Sequence, residues 1–118
     1  MIVLKADGKE ITLTEDQAFA YSDPDLRDLI ATIRLAEQGK LVTAGKPPEK
    51  VTVTFLSKET GDSPSTVRDR LRRLTDHKMV VRKEDKTYTL TDAGRQLADG
   101  ILEEEKRIPK AMEAKKDE

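Results

Sequence analysis

Two consecutive helical patterns, separated by a very short turn, constrain this chain more than any other feature. The first covers residues 55–60, with Thr54 as its N-cap and Gly61 as its terminator. Ser63 is a suitable N-cap for the second, which begins at a proline and continues over residues 64–77. Because so short a turn keeps neighbouring helices together, the sequence predicts two helices that pack against each other across it.

The second of these helices has an apolar face and a polar face. Val67, Leu71 and Leu74 recur at helical spacing and predict a buried stripe. The remaining faces carry hydroxyl groups and charges, namely Ser65, Thr66, Arg68, Asp69, Arg72 and Arg73. Such a surface suits the DNA major groove, because first-turn residues can approach base edges while arginines reach guanine or phosphate oxygens. The plain alternative is a solvated helix face whose arginines pair with Asp69 and Asp76.

Charge is distributed unevenly along the chain. The formal net charge is −1, but residues 1–50 carry −2, residues 51–91 carry +3 and residues 92–118 carry −2. A total so close to zero argues against a protein that coats nucleic acid without specificity. A local basic segment is nevertheless what a phosphate-contacting surface requires.

Two segments have the residue pattern of β-hairpins. Near the N-terminus, Asp7 and Gly8 separate two alternating runs, and a type I′ turn there places Leu4 opposite Ile11. The second segment, residues 80–90, is β-rich on both sides of a polar turn. Because an isolated hairpin is marginal in water, the N-terminal one must pack on its own domain or on a second copy of the chain.

Further segments are predicted around these units. Residues 14–22 predict a short helix, and Asp23 is the expected N-cap of a longer amphipathic helix that ends near Gly39. Residues 51–53 are β-branched or hydroxylated and predict a short strand. Thr91 is expected to begin a final helix.

The stretch LSKETGDSPSTVRDRLRRLTDHKMVVRKEDKTYTLTDAGR, residues 56–95, resembles winged helix-turn-helix transcriptional regulators of the small prokaryotic, archaeal and phage-repressor types. The match extends over residues 26–102. It implies an α+β fold with a three-helix core, a β-hairpin wing and a C-terminal helix, preceded here by an N-terminal β-hairpin. The domain organisation implied is residues 1–22 as hairpin and connection, 23–102 as the winged helix-turn-helix domain, and 103–118 as the helix end and a charged, disordered tail.

The resemblance also implies which side chains meet DNA. Helix 64–77 would lie in the major groove, and hairpin 80–90 would lie on the backbone or in the minor groove. The wing residues implied in DNA contact are Arg82, Lys83 and Lys86. Two features depart from the family's pattern: the wing tip at Glu84 and Asp85 is acidic and lacks glycine, and Asp69 adds a carboxylate to the DNA-facing side. Asp69 can accept from a cytosine amino group, but we predict that it orients a neighbouring arginine.

The function implied is a sequence-specific double-stranded DNA-binding protein, acting in transcription regulation as a homodimer. Residues at helical spacing in the last helix are the dimerisation candidates, namely Leu97, Ile101 and Ile108. The alternative is a monomer in which Leu97 and Ile101 pack against the helix around Ile30. Two other functions remain open: a winged-helix module for protein–protein assembly, and a DNA-binding protein of plasmid or phage replication or partition.

Several classes of function lack their sequence signals. There is no cysteine, and the one histidine, His77, is expected at a helix C-terminus, where capping explains it. No nucleophile elbow, phosphate-binding loop or metal-ligand pattern is present, so we expect neither an enzyme nor a bound metal or cofactor. No membrane-length apolar run occurs, and a cytoplasmic location is expected.

Overall fold

The computed structural model describes residues 2–6, 8–40 and 51–105. Within these ranges the chain forms a mixed α+β structure of five helices and two separate antiparallel hairpins. The elements in chain order are β1 (Val3–Ala6), β2 (Lys9–Thr12), α1 (Glu15–Ser22), α2 (Pro24–Glu37), α3 (Val53–Thr60), α4 (Pro64–Asp76), β3 (Val80–Arg82), β4 (Tyr88–Leu90) and α5 (Asp92–Glu105).

The N-terminal hairpin has the predicted register. Leu4 lies opposite Ile11, and the amide of Leu13 donates to the carbonyl of Ile2 over 2.9 Å. Gly8 has a φ of +79°, as the predicted turn requires, whereas Asp7 lies outside the described residues. Leu4 is buried against α5, so the hairpin packs on its own chain.

Helix capping follows the sequence closely. Thr14 and Gln17 form a reciprocal capping box at the start of α1, which confirms the short helix predicted for residues 14–22. Asp23 caps α2 by accepting from the amide of Asp25 over 2.9 Å. Ser63 caps α4 through the amide of Thr66, as predicted.

The start of α3 differs from the prediction. Thr52, not Thr54, is the N-cap, with its hydroxyl oxygen accepting from the amide of Phe55 over 3.1 Å. The short strand predicted for residues 51–53 is reduced to one bridge between Val51 and Tyr88. Thr52 and Thr54 are both suitable hydroxyl caps, and Thr52 caps the helix two residues earlier, so the helix starts at Val53.

One hydrophobic core joins the N-terminal hairpin to the rest of the chain. Leu4 and Leu13 belong to the same buried cluster as the side chains of α2, α4 and α5. The buried Gln17 side chain also donates to the carbonyl of Ala93 and to Gln96, each over 3.0 Å. The boundary expected at residue 22 therefore does not separate two cores.

The prediction that Leu97 and Ile101 form a dimer contact is wrong. Both side chains are completely buried within a single chain, where α5 packs against α2, α1 and β1. This is the alternative arrangement, in which they pack on the helix that contains Ile30. Ile108, the third candidate, lies outside the described residues.

Glu37 connects the end of α2 to β4 and α5. One carboxylate oxygen accepts from the Thr89 hydroxyl over 3.0 Å and from the Leu90 amide over 3.1 Å. The other lies 3.5 Å from Nε of Arg95. These contacts fix the hairpin β3–β4 relative to the helical core.

Arg34 and Asp99 make a second link between α2 and α5. The guanidinium donates to both carboxylate oxygens, over 2.8 and 3.3 Å. This hydrogen bonding raises the pKa of Arg34 above its usual value. The two links hold α2, α5 and the second hairpin as one framework, which positions α4 beside β3–β4.

Candidate nucleic-acid interface

Helix α4 has the predicted division into a buried and an exposed side. Val67, Leu71 and Leu74 are buried in the core, and Arg68, Arg72 and Arg73 are exposed. Since three aliphatic side chains fix its rotation, α4 presents its polar side chains outward.

A compact cap ends α4 and directs the chain into β3. His77 is the C-cap, and Lys78 has a φ of +63°. The amides of Lys78 and Met79 donate to the carbonyls of Thr75 and Leu74, which is the Schellman arrangement with a lysine where glycine is usual. The second hairpin therefore begins immediately beside the end of α4.

The turn of the second hairpin also uses a non-glycine residue with positive φ. Lys86 has a φ of +69°, and its amide donates to the carbonyl of Lys83 over 2.9 Å. Asp85 accepts from both the amide and the hydroxyl of Thr87, over 3.2 and 2.6 Å. One of the two acids noted at the wing tip therefore stabilises the turn itself.

An open cleft of about 550 Å³ separates α4 from the hairpin β3–β4. Seven residues line this cleft. Five are predicted DNA-contact residues, namely Ser65, Arg68, Asp69, Arg72 and Arg82, and the other two are Thr75 and Tyr88. The structure thus brings Arg68 and Arg72 of α4 and Arg82 of β3 to one concave surface.

Thr75 and Tyr88 are the cleft residues that sequence reasoning did not assign to the site. Tyr88 pairs with Arg82 across the hairpin, while the next pair on the same face, Val80 with Leu90, is buried. Tyr88 is half-buried: it packs against the edge of the core and also lines the cleft. The cross-strand pairing with Arg82 was the available signal.

The arginines of this region differ sharply in their partners. Asp69 accepts from Arg72 over 2.9 Å and lies 3.3 Å from Nη2 of Arg73, a pairing that fits both the predicted orienting role and the alternative of a solvated, ion-paired helix face. Arg70 is paired with Asp62 at 2.6 Å and faces away from the cleft. The side chains of Arg68 and Arg82, by contrast, have no such partner among the described residues.

The side chains of Arg68 and Arg82 make no hydrogen bond or ion pair with any described part of the chain. They approach the cleft from opposite walls, Arg68 from α4 and Arg82 from β3. Both also line a smaller adjoining cavity of about 370 Å³, which reaches Thr52 at the start of α3. Two positive charges without a carboxylate partner therefore face the same open space.

Four of the predicted contact residues lie outside the main cleft. The Thr66 hydroxyl accepts from Ser63 over 3.0 Å at the start of α4. Lys86 lines the smaller cavity, and the exposed side chains of Arg73 and Lys83 line neither. The structure thus divides the sequence-predicted set between the cleft and its surroundings.

His77 joins α4 to α1. Its Nδ1 lies 2.8 Å from Asp16, and its ring stacks on Phe19 with centroids 3.8 Å apart. These contacts agree with a structural role at the helix end. Within the described ranges, acidic and histidine side chains form no group of three or more suited to a metal ion.

Comparison with known proteins gives no relative from which a function could be transferred. No protein-family model, curated protein or solved structure matches the chain. None of the helices in the described part of the chain has the length and apolar character needed to cross a membrane. A functional assignment therefore depends on the cleft and the charges around it.

Proposed function

We propose that α3, α4 and the hairpin β3–β4 constitute a winged helix-turn-helix, and that the protein binds double-stranded DNA sequence-specifically to regulate transcription. In this arrangement α4 occupies the major groove, and the hairpin lies as a wing on the backbone or in the minor groove. The groove contacts come from Ser65, Thr66, Arg68 and Arg72. Phosphates are neutralised by Arg73, Arg82 and Lys83, with Lys86 at the wing tip.

The observation that carries this proposal is that Arg68 and Arg82 line one cleft without a side-chain partner among the described residues. A folded protein can pair an exposed arginine with a neighbouring acid, as Arg72 and Arg73 do here. Two arginines kept free beside a tyrosine suit a ligand that brings its own negative charge. A nucleic-acid strand between the major-groove helix and the wing supplies that charge as phosphate.

A homodimer is part of the proposal, because two copies of α4 on one duplex read an inverted repeat. Burial of Leu97 and Ile101 requires that this dimer use a different surface. One apolar side chain that is accessible for such a contact is Val3 on β1, which is 48% exposed.

An electrophoretic mobility shift titration with the DNA that flanks the protein's own gene tests the proposal. We expect a discrete shifted band at low salt. Its association constant should fall by about 100-fold for a roughly fourfold rise in salt, since about four phosphates are neutralised. Absence of any shift at low salt would contradict DNA binding.

Lys83→Ala is expected to weaken binding to every duplex by a similar factor. The exposed Lys83 side chain adjoins the wing turn and would contact phosphate, which carries no sequence information. We expect a loss of about threefold and a salt dependence lower by about one phosphate contact. Fluorescence anisotropy with a selected and a scrambled duplex measures both. Lys9→Ala on the other hairpin is the matched control, and a loss confined to one sequence would assign Lys83 to base contact instead.

A second candidate function is protein–protein assembly. Val81 is 47% exposed on the hairpin β3–β4, and Glu84 is exposed at its acidic tip, two features that DNA contact does not need. If the mobility shift experiment gives no retarded band, protein–protein assembly is the candidate function that remains. Replication or partition of a plasmid or phage remains an alternative within the DNA-binding class.

A further inference from the structure

We propose that Asp69 is a specificity-determining residue, whose carboxylate restrains Arg72 and Arg73 from binding phosphates of arbitrary sequence. The inference rests on the proposed DNA-binding function and concerns how the same interface discriminates between sequences. It assigns to Asp69 a role in selectivity and none in overall affinity for the preferred site.

The geometry gives each arginine its own carboxylate oxygen. Nη2 of Arg72 donates to Oδ1 of Asp69 over 2.9 Å, and Nη2 of Arg73 lies 3.3 Å from Oδ2. Spacings of three and four residues bring the three side chains together on one helix face. The cluster therefore has a net charge of +1, whereas the two arginines alone would present +2.

The interface consequently has two kinds of arginine. Arg68 and Arg82 are free within the described chain and can contact any duplex. Arg72 and Arg73 are already paired with the Asp69 carboxylate before any DNA binds. Their side chains are 74% and 53% exposed and that of Asp69 is 43% exposed, so solvent screens these pairs and the exchange of the carboxylate for DNA is accessible.

Exchange has a different consequence on arbitrary and on preferred DNA. When a phosphate takes an arginine from Asp69, the carboxylate is left unpaired beside a polyanion, and the repulsion opposes binding. On a preferred site, Arg72 can keep its contact with Asp69, because one donor is engaged and the guanidinium has five. The remaining donors are available to the O6 and N7 atoms of guanine, in an orientation already set by Asp69.

The test compares two duplexes and two neutralised acids. The preferred duplex is selected from a random pool with the wild-type protein, and a scrambled duplex of the same composition represents arbitrary DNA. Asp69→Asn removes the restraining charge in an isosteric side chain. Asp76→Asn removes the same charge from the same helix and is the matched control, since Asp76 is exposed and has no ion pair within the described residues. Asp69→Glu retains the charge.

We expect Asp69→Asn to bind the scrambled duplex at least about threefold more tightly, with a salt dependence steeper by about one phosphate contact. The ratio of preferred to scrambled affinity should fall about tenfold, the discrimination of one bidentate arginine–guanine contact. Asp76→Asn should change this ratio by less than about twofold. Asp69→Glu should retain most of the wild-type ratio of preferred to scrambled affinity. Melting temperatures confirm that each variant is folded.

Two results overturn the inference while leaving DNA binding intact. In the first, Asp69→Asn leaves the ratio unchanged; in the second, both neutralised acids lower it equally, which would reduce Asp69 to a contribution to net charge. If the wild-type protein enriches no sequence and binds neither duplex at low salt, the proposed function fails, and the inference fails with it.

Discussion

Alanine at both Arg68 and Arg82 is expected to lower the affinity of the protein for its preferred duplex by about 100-fold. The loss corresponds to on the order of 1.4 kcal/mol for each arginine, within the range for a direct contact to phosphate or base. Both guanidinium groups line the cleft without a carboxylate partner in the described ranges, so their removal leaves no acid unpaired there. Fluorescence anisotropy with a labelled duplex measures the change.

The control for this variant is the double replacement of Lys5 and Lys9, two exposed lysines on the N-terminal hairpin. It alters net charge by the same amount outside the cleft, and its expected effect is below about threefold. Thermal melting should be nearly unchanged in both double variants, because all four side chains are exposed. Equal losses in the two variants would show that only the total charge matters, and the assignment of the cleft as the binding surface would then be wrong.

Gly94→Ala is expected to destabilise the protein by about 2–3 kcal/mol, near the upper end for an overpacked site. A Cβ atom at this position would lie 2.1 Å from the carbonyl oxygen of Met79 and 3.2 Å from a methyl carbon of Leu90. The Met79 carbonyl cannot move freely, since it also accepts from the amide of Thr91 over 3.0 Å. The first turn of α5 would have to move away from the end of α4, with a melting temperature lower by about 10 °C or more.

Gly100→Ala provides the comparison on the same helix. Its Cβ would approach Leu4 at 3.1 Å, where the contact is a side chain of β1 and not backbone. The gain in helix propensity, about 1 kcal/mol, should offset most of the crowding. We expect a change within about 1 kcal/mol by chemical denaturation. A Gly94→Ala protein that melts with the wild type would show that the Met79–Gly94 contact is not close in solution.

Local features of the fold followed from the sequence with few errors. The Asp23 and Ser63 caps and the register of Leu4 with Ile11 are all as predicted. Each depends on residues within one turn or one hairpin of each other, so near neighbours suffice to determine it. The misplaced cap of α3 is the exception, because Thr52 and Thr54 are both competent caps and the bridge of Val51 to Tyr88, far along the chain, favours the earlier one.

The candidate site was predictable in part. The arginines of α4 and the orienting role of Asp69 follow from spacings of three and four residues along one helix. The concave surface does not, because it requires Arg82 and Tyr88 from a hairpin whose placement depends on Glu37. Alternation along a strand places Tyr88 and Leu90 on the same face but cannot show where along that face the core ends.

What the sequence determined by itself is therefore the set of elements, their caps and the polar face of α4, since short-range hydrogen bonding and apolar periodicity specify them. Tertiary structure alone decided that Leu97 and Ile101 are enclosed by their own chain. It also decided that Arg70 is paired with Asp62, while Arg68 and Arg82 line one cleft with no acidic partner in the part of the chain that the structure describes. The physical reason is that burial and charge pairing depend on distances between residues far apart in the chain, which only the packing of α2, α5 and the second hairpin sets.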